Sequence, residues 1–213
     1  MNRVGAVLAL AGGVGFLVVG VLHGSLPQDG GDVLRHVAMR SDWSLVHLVA
    51  IGCALAWVGA FTVLARSLPD ERSRGVGRLA AAASVAGFAA FIADAAIDGV
   101  ALKRVADAWA ATGQESLFQV GSVIVRVLEG THAAFITWFL GLPFLLMGVA
   151  VVLGGRWRWA GWVGAVAGGA TFLGGVTRYL GVLEVPEPVL FAGPILVSML
   201  WLAATGVLLW RDS

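Results

Sequence analysis

Four ionisable residues sit inside apolar stretches where a charge is costly: His47, Asp94, Asp98 and His132, with His23, Arg126, Glu129, Arg178 and Tyr179 nearby. Within a bilayer such side chains turn toward the bundle interior and by default mark a functional site. Asp94 and Asp98 are four residues apart and share one face of a helix; Glu129 and His132 are three apart and share a face of another. A Glu-x-x-His on one helix, with carboxylates and histidines from others, is the ligand style of metal sites in helical bundles. His47, Asp94, Asp98, Glu129 and His132 are therefore candidate ligands for zinc or a pair of irons, with a position left for activated water or oxygen. Asp94 and Glu129 are the candidate catalytic acid–base residues, and Arg126 and Arg178 the candidate cofactor-binding cations.

Other chemistries use the same residues. Haem b fits between His47 and His132, with the arginines on its propionates. A proton-coupled small-solute carrier would use Asp94, Asp98 and the histidines as its relay. The reading without chemistry is a structural membrane protein, in which Arg126 and Arg178 pair with Glu129, Asp94 and Asp98 in a buried salt-bridge network. Three carboxylates and up to three histidines exceed what two arginines can pair, and that excess of acceptors favours a cation or protons. The leading expectation is a metal-dependent membrane enzyme acting on a lipid-like or small substrate.

Helices must carry these residues. Of 213 residues 59% are hydrophobic and 13% charged, and the mean hydropathy of +0.88 excludes an ordinary soluble domain. Apolar runs cover approximately 4–22, 43–65, 79–100, 131–153, 159–180 and 189–210. Each reaches the ~20 residues a helix needs to cross ~30 Å of hydrocarbon. Period-2 alternation is absent and barrel strands would be half as long, so the fold class is an all-α integral membrane bundle of six transmembrane helices in a single domain. The first run follows a single arginine and resembles a signal peptide, but it is long for one and lacks an Ala-x-Ala pattern near its end; it reads as a span.

Orientation follows the basic residues. Arg3, Arg66, Arg72, Arg74, Arg78, Arg156, Arg158 and Arg211 fall on one side, against Arg35, Arg40, Lys103 and Arg104 on the other, which puts both termini in the cytoplasm. The opposite loops hold Asp29, Asp32, Asp42, Asp107, Glu115, Glu184 and Glu187. Trp43, Trp157, Trp159, Trp201 and Trp210 lie near span ends, where indoles prefer the interface.

Two outer segments are amphipathic. Val33, Leu34, Val37 and Ala38 stand at helical spacing before Asp42, which is placed to cap the second span. Residues 101–121 extend the third helix, turn near Thr112-Gly113 and re-enter as a prolonged fourth, so the two segments can form a lid. Pro143 should kink the fourth span by freeing the carbonyl of Phe139, and Pro194 should do the same in the sixth. Gly164 and Gly168, and the run Ala80–Ala83 with Ala86 and Gly87, mark close helix approach within the chain.

Counting ~1.5 Å per residue from the arginine at each cytoplasmic end puts His23, His47, Asp98 and Arg178 at ~28–30 Å, Asp94 at ~24 Å, His132 at ~36 Å and Glu129 at ~40 Å. The polar residues thus gather in one layer at the extracytoplasmic leaflet. His23 reads as a cap on the end of the first helix and His36 as a solvated loop residue. The lone Cys53 forms no internal disulfide and reads as packing. A net charge of +1 without a basic patch excludes nucleic acid as a partner. No Gly-x-Gly-x-x-Gly follows a strand and no Gly-x-Ser-x-Gly elbow occurs. Thirteen arginines against one lysine suggest a GC-rich genome, and the expected location is a bacterial inner membrane.

Overall fold

The computed structural model describes residues 2–27, 29–183 and 186–212, and among these the secondary structure is all helical. Glu184, an outer-loop acid in the sequence reading, lies outside the described residues. The elements are α1 (Asn2–His23), α2 (Gly30–Met39) and α3 (Trp43–Ser67), then α4 (Glu71–Thr112) and α5 (Glu115–Gly154), and α6 (Arg158–Tyr179). A turn of helix at Glu187–Leu190 and a π-helical turn at Phe191–Ile195 lead into α7 (Leu196–Arg211). Six helices are long and apolar enough to cross a membrane, matching the six runs read from sequence. They form a closed ring in which α1 packs on α3, α3 on α4, α4 on α5, α5 on α6, α6 on α7, and α7 back on α1.

Lipid-side packing rests on small residues, since lipid tails give no hydrophobic drive for helices to associate. A side chain at Gly148 would enter the backbone of Ala165, one at Gly168 the backbone of Phe144 and Leu145, and one at Gly87 the backbone of Trp138 and Phe139. The Gly164/Gly168 pair is thereby used inside the chain: Gly164 faces the ring of Trp201. Aromatic rings fill the centre, with Trp57 stacked on Phe139 at 4.2 Å and edge-on to Phe16 and Phe144.

Both terminal helices meet the Arg-bearing loops at one end. Arg156 pairs with Asp212 at 2.8 Å, and the Arg3 guanidinium lies 5.6 Å from the Trp210 ring centre. At the opposite end α4 and α5 overshoot. Helices of 42 and 40 residues are about 60 Å long, twice the hydrocarbon thickness, so their joined ends project beyond the ring. Gly113 makes the turn in the left-handed region, φ 66°. Asp29 starts α2 by accepting from the amides of Gly31 and Asp32. The buried face of α2, Val33, Leu34 and Val37, then packs against Leu102, Ala106 and Leu128 of the projecting hairpin. This is a second hydrophobic core, separate from that of the ring.

A π-helical turn lies beside each of the two prolines. One spans Ile136–Gly141, just before Pro143, and another spans Phe191–Ile195, where Gly193 leaves helical geometry (φ -106°, ψ -107°) beside Pro194. Four expectations need correction. Trp43 and Trp201 are buried, not interfacial, because their indole N–H groups donate to the carbonyls of Asp98 and Ala160 at 3.1 and 2.6 Å. Asp42 stands at the start of α3 but makes no cap hydrogen bond; Arg40 takes both its oxygens, at 2.9 and 2.6 Å. His36 lies within α2 with its ring edge-on to Trp43.

Candidate metal centre

The centre is built where α4 changes its winding. A π-helical turn spans Ile97–Leu102, with no proline to cause it. Such turns concentrate at functional sites because they displace side chains and leave backbone groups to be satisfied from outside. Here the Asp98 carbonyl accepts from Trp43 Nε1, and the Gly99 carbonyl accepts from Ser44 Oγ at 2.5 Å. Both donors come from the first turn of α3. The same approach seats His47 directly on Gly99, where a Cβ would be 2.6 Å from the His47 Cβ.

Asp98 is 1% exposed and carries two histidines on one oxygen: Oδ2 is 3.2 Å from His47 Nε2 and 3.4 Å from His23 Nε2. On the far side of each ring Nδ1 faces a backbone carbonyl, Trp43 at 2.8 Å for His47 and Gly24 at 2.9 Å for His23. A carbonyl can only accept, so each Nδ1 carries the proton. In the neutral ring each Nε2 then presents a lone pair to a carboxylate oxygen, acceptor against acceptor. A cation between them, or a second proton on the ring, resolves the conflict. One ligand atom from each of His23, His47 and Asp98 lies within 4.8 Å of the others. Two ~2.1 Å bonds at a tetrahedral zinc hold their ligand atoms ~3.4 Å apart, close to the separations seen. The Nδ1–H to carbonyl bond is also the usual second contact of a metal-bound histidine. The other oxygen of Asp98, Oδ1, is buried with no hydrogen-bond partner among the described residues.

Arg40 fastens the two histidine-bearing helices. Its Nη1 donates to the carbonyls of Leu22 and His23, at 2.7 and 3.0 Å, while its other nitrogens hold Asp42 ahead of α3. Asp42 is in turn held below the usual carboxylate range by that guanidinium.

A second group adjoins the first. Asp94, one turn earlier on α4 and 4% exposed, accepts from Thr131 Oγ1 at 2.5 Å and lies 3.5 Å from His132 Nε2. The 12 Å difference in depth inferred from sequence does not exist. It arose from counting at Arg78 and Arg156, whereas α4 begins at Glu71 and α5 ends at Gly154; from those ends Asp94 and His132 are ~35 and ~33 Å along.

His23, His47, Asp94, Asp98, Arg126, Glu129, His132 and Arg178 all line one cavity of about 1470 Å³, whose apolar wall includes Phe16, Phe91, Phe135 and Met199. Every site residue expected from sequence therefore reaches the same space. They divide differently from expectation: Asp94 and His132 pair with each other, Glu129 and Arg126 are exposed on the cavity wall, and His23 joins His47 and Asp98. Asp94 and Asp98 take histidines and a threonine as partners, not the arginines of a salt-bridge network. The sequence favours His23 as a helix cap over a ligand; the signal for the ligand role is its depth, similar to those of His47 and Asp98. Trp43 and Ser44, which fix the π-turn, precede His47 by four and three residues and so share its helix face.

No protein-family model, no curated protein and no solved structure matches this chain.

Proposed function

We propose that this multi-pass membrane protein is a metal-dependent enzyme whose metal is held by His23, His47 and Asp98, with Asp94 and His132 as the neighbouring acid–base pair. The observation that carries it is the pair of imidazoles turned, by their own Nδ1–H bonds, to present Nε2 to one carboxylate oxygen. Two histidines and one carboxylate on separate elements are the donor set of catalytic zinc and of non-haem iron sites, which leave further positions open. A metal so placed supplies an activated water or a polarised substrate oxygen. Asp94, oriented by Thr131 and His132 on the same cavity wall, is placed to accept and return a proton, and Arg126 and Arg178 contribute positive charge to that wall.

By the charge bias, the Arg-bearing end formed by both termini and the loops at 68–70 and 155–157 is cytoplasmic, and the cavity lies at the extracytoplasmic leaflet of a bacterial inner membrane. Elemental analysis with an optical spectrum of the purified protein tests the reading. Stoichiometric zinc or iron without a Soret band supports it. A Soret band would replace it with haem ligation, and protein free of metal after expression and purification with zinc and iron supplied would leave the histidines as scaffolding.

A further inference from the structure

The groups lining the cavity are ordered by depth. On α5, Arg126 stands six residues, ~9 Å, outward of His132, and Phe135 lies nearly one turn inward of it. On α4, Phe91 is nearly one turn inward of Asp94. On α1, Phe16 is about two turns inward of His23, and on α6 Arg178 belongs to the outermost turn. From the outer end the wall therefore runs arginine, with the Glu129 carboxylate one turn inward of Arg126, then histidine and aspartate, then aromatic and aliphatic carbon. Charged headgroup, linkage and hydrocarbon follow the same order in one bilayer leaflet. The volume exceeds the roughly 300–1,000 Å³ of small-molecule pockets, and Val21 and Val127, both on its wall, are 83% and 46% exposed, so the cavity is open at the protein surface.

We propose that the cavity binds an amphiphile with an anionic head and an alkyl chain, its head between Arg126 and Arg178, its head–chain junction at the His23–His47–Asp98 centre and its chain along Phe16, Phe91 and Phe135. This rests on the reading of the cavity as the substrate site and supplies the substrate class. Anionic phosphate or carboxylate suits guanidinium groups, which offer paired donors in a fixed fork.

The test is calorimetric titration of the intact protein in a neutral maltoside detergent with hexadecyl phosphate, hexadecanol, hexadecyltrimethylammonium and inorganic phosphate. Hexadecyl phosphate should bind at least about tenfold more tightly than either other chain, and inorganic phosphate should not bind measurably. Arg126→Gln, on the exposed rim, should lower that preference several-fold, and adding Arg178→Gln should abolish it, with unchanged melting temperature showing that both variants fold. Equal binding of the three chains, or phosphate binding without a chain, would overturn the proposal. Wild-type protein that holds metal but shows no such preference overturns the amphiphile alone. Wild-type protein that shows the preference but holds no metal overturns the metal alone.

Discussion

Gly99 and His47 are in direct contact: a Cβ built on Gly99 would lie 2.6 Å from the His47 Cβ and 2.7 Å from its Cγ. The glycine is thus what allows the π-turn of α4 to bring Asp98 level with the imidazole. Gly99→Ala must push α3 and α4 apart or rotate His47. The expected cost is about 1–3 kcal/mol, as for overpacking a close contact, seen as a lower melting temperature in detergent together with reduced metal content. An alanine variant with wild-type melting and metal content would separate the π-turn from the site.

Trp43 carries the second half of that joint. Trp43→Phe keeps the ring packing but leaves the Asp98 carbonyl without its indole donor. An unsatisfied buried carbonyl costs about 1–3 kcal/mol. Ser44→Ala should weaken the same turn through the Gly99 carbonyl, and the pair should be non-additive because both act on one segment. A double-mutant cycle of melting free energies gives the coupling directly; strict additivity would mean the two bonds act independently.

At the opposite end, Asp70 starts α4 by accepting from the Ser73 amide at 3.0 Å and the Ser73 hydroxyl at 2.7 Å. These bonds hold its carboxyl below the ordinary value. A lowered folded-state value stabilises above the unfolded-state value of ~3.9 and is lost as pH falls through the folded one. Asp70→Asn should therefore melt below wild type at pH 7, and the gap should narrow as pH falls below the unfolded-state value of ~3.9. A gap independent of pH would assign the effect to something other than the ionised cap.

Six helices, the amphipathic α2 and the turn at Gly113 were legible in the sequence, because apolar run length and glycine at a left-handed position are local signals; the start of α4 at Glu71, eight polar-rich residues before its apolar run, was not. The partners within the site were not. Asp98 pairs with His23 and His47 because an unforced π-turn rotates it toward α1 and α3, and nothing in the residues Ile97–Leu102 announces that change of winding. Trp43 read as an interfacial indole because its acceptor, a carbonyl of α4 released by the same turn, is a tertiary feature. The shared depth of Asp94 and His132 is not legible from Arg78 and Arg156, because α4 begins seven residues before Arg78 and α5 ends two residues before Arg156. Glu129 shares a helix face with His132 yet stays exposed, since a face argument gives direction but not distance to the neighbouring helix.

Ser73 is fully buried against Asp70, so orientation is better probed at the exposed Arg72 and Gln114. With Cys53→Ala as background, Arg72→Cys should resist an impermeant thiol reagent in intact cells, and Gln114→Cys should react. The reverse pattern would invert the topology and move the cavity to the cytoplasmic leaflet.

The ligand set is tested most directly by metal stoichiometry, measured on purified wild type and on five single variants whose fold is checked by melting. His23→Ala, His47→Ala and Asp98→Asn should each lose the metal, while His132→Ala and Glu129→Gln should retain it at the wild-type ratio. Metal kept by His23→Ala and lost from His132→Ala or Glu129→Gln would contradict the His23–His47–Asp98 centre and return the ligands to α5.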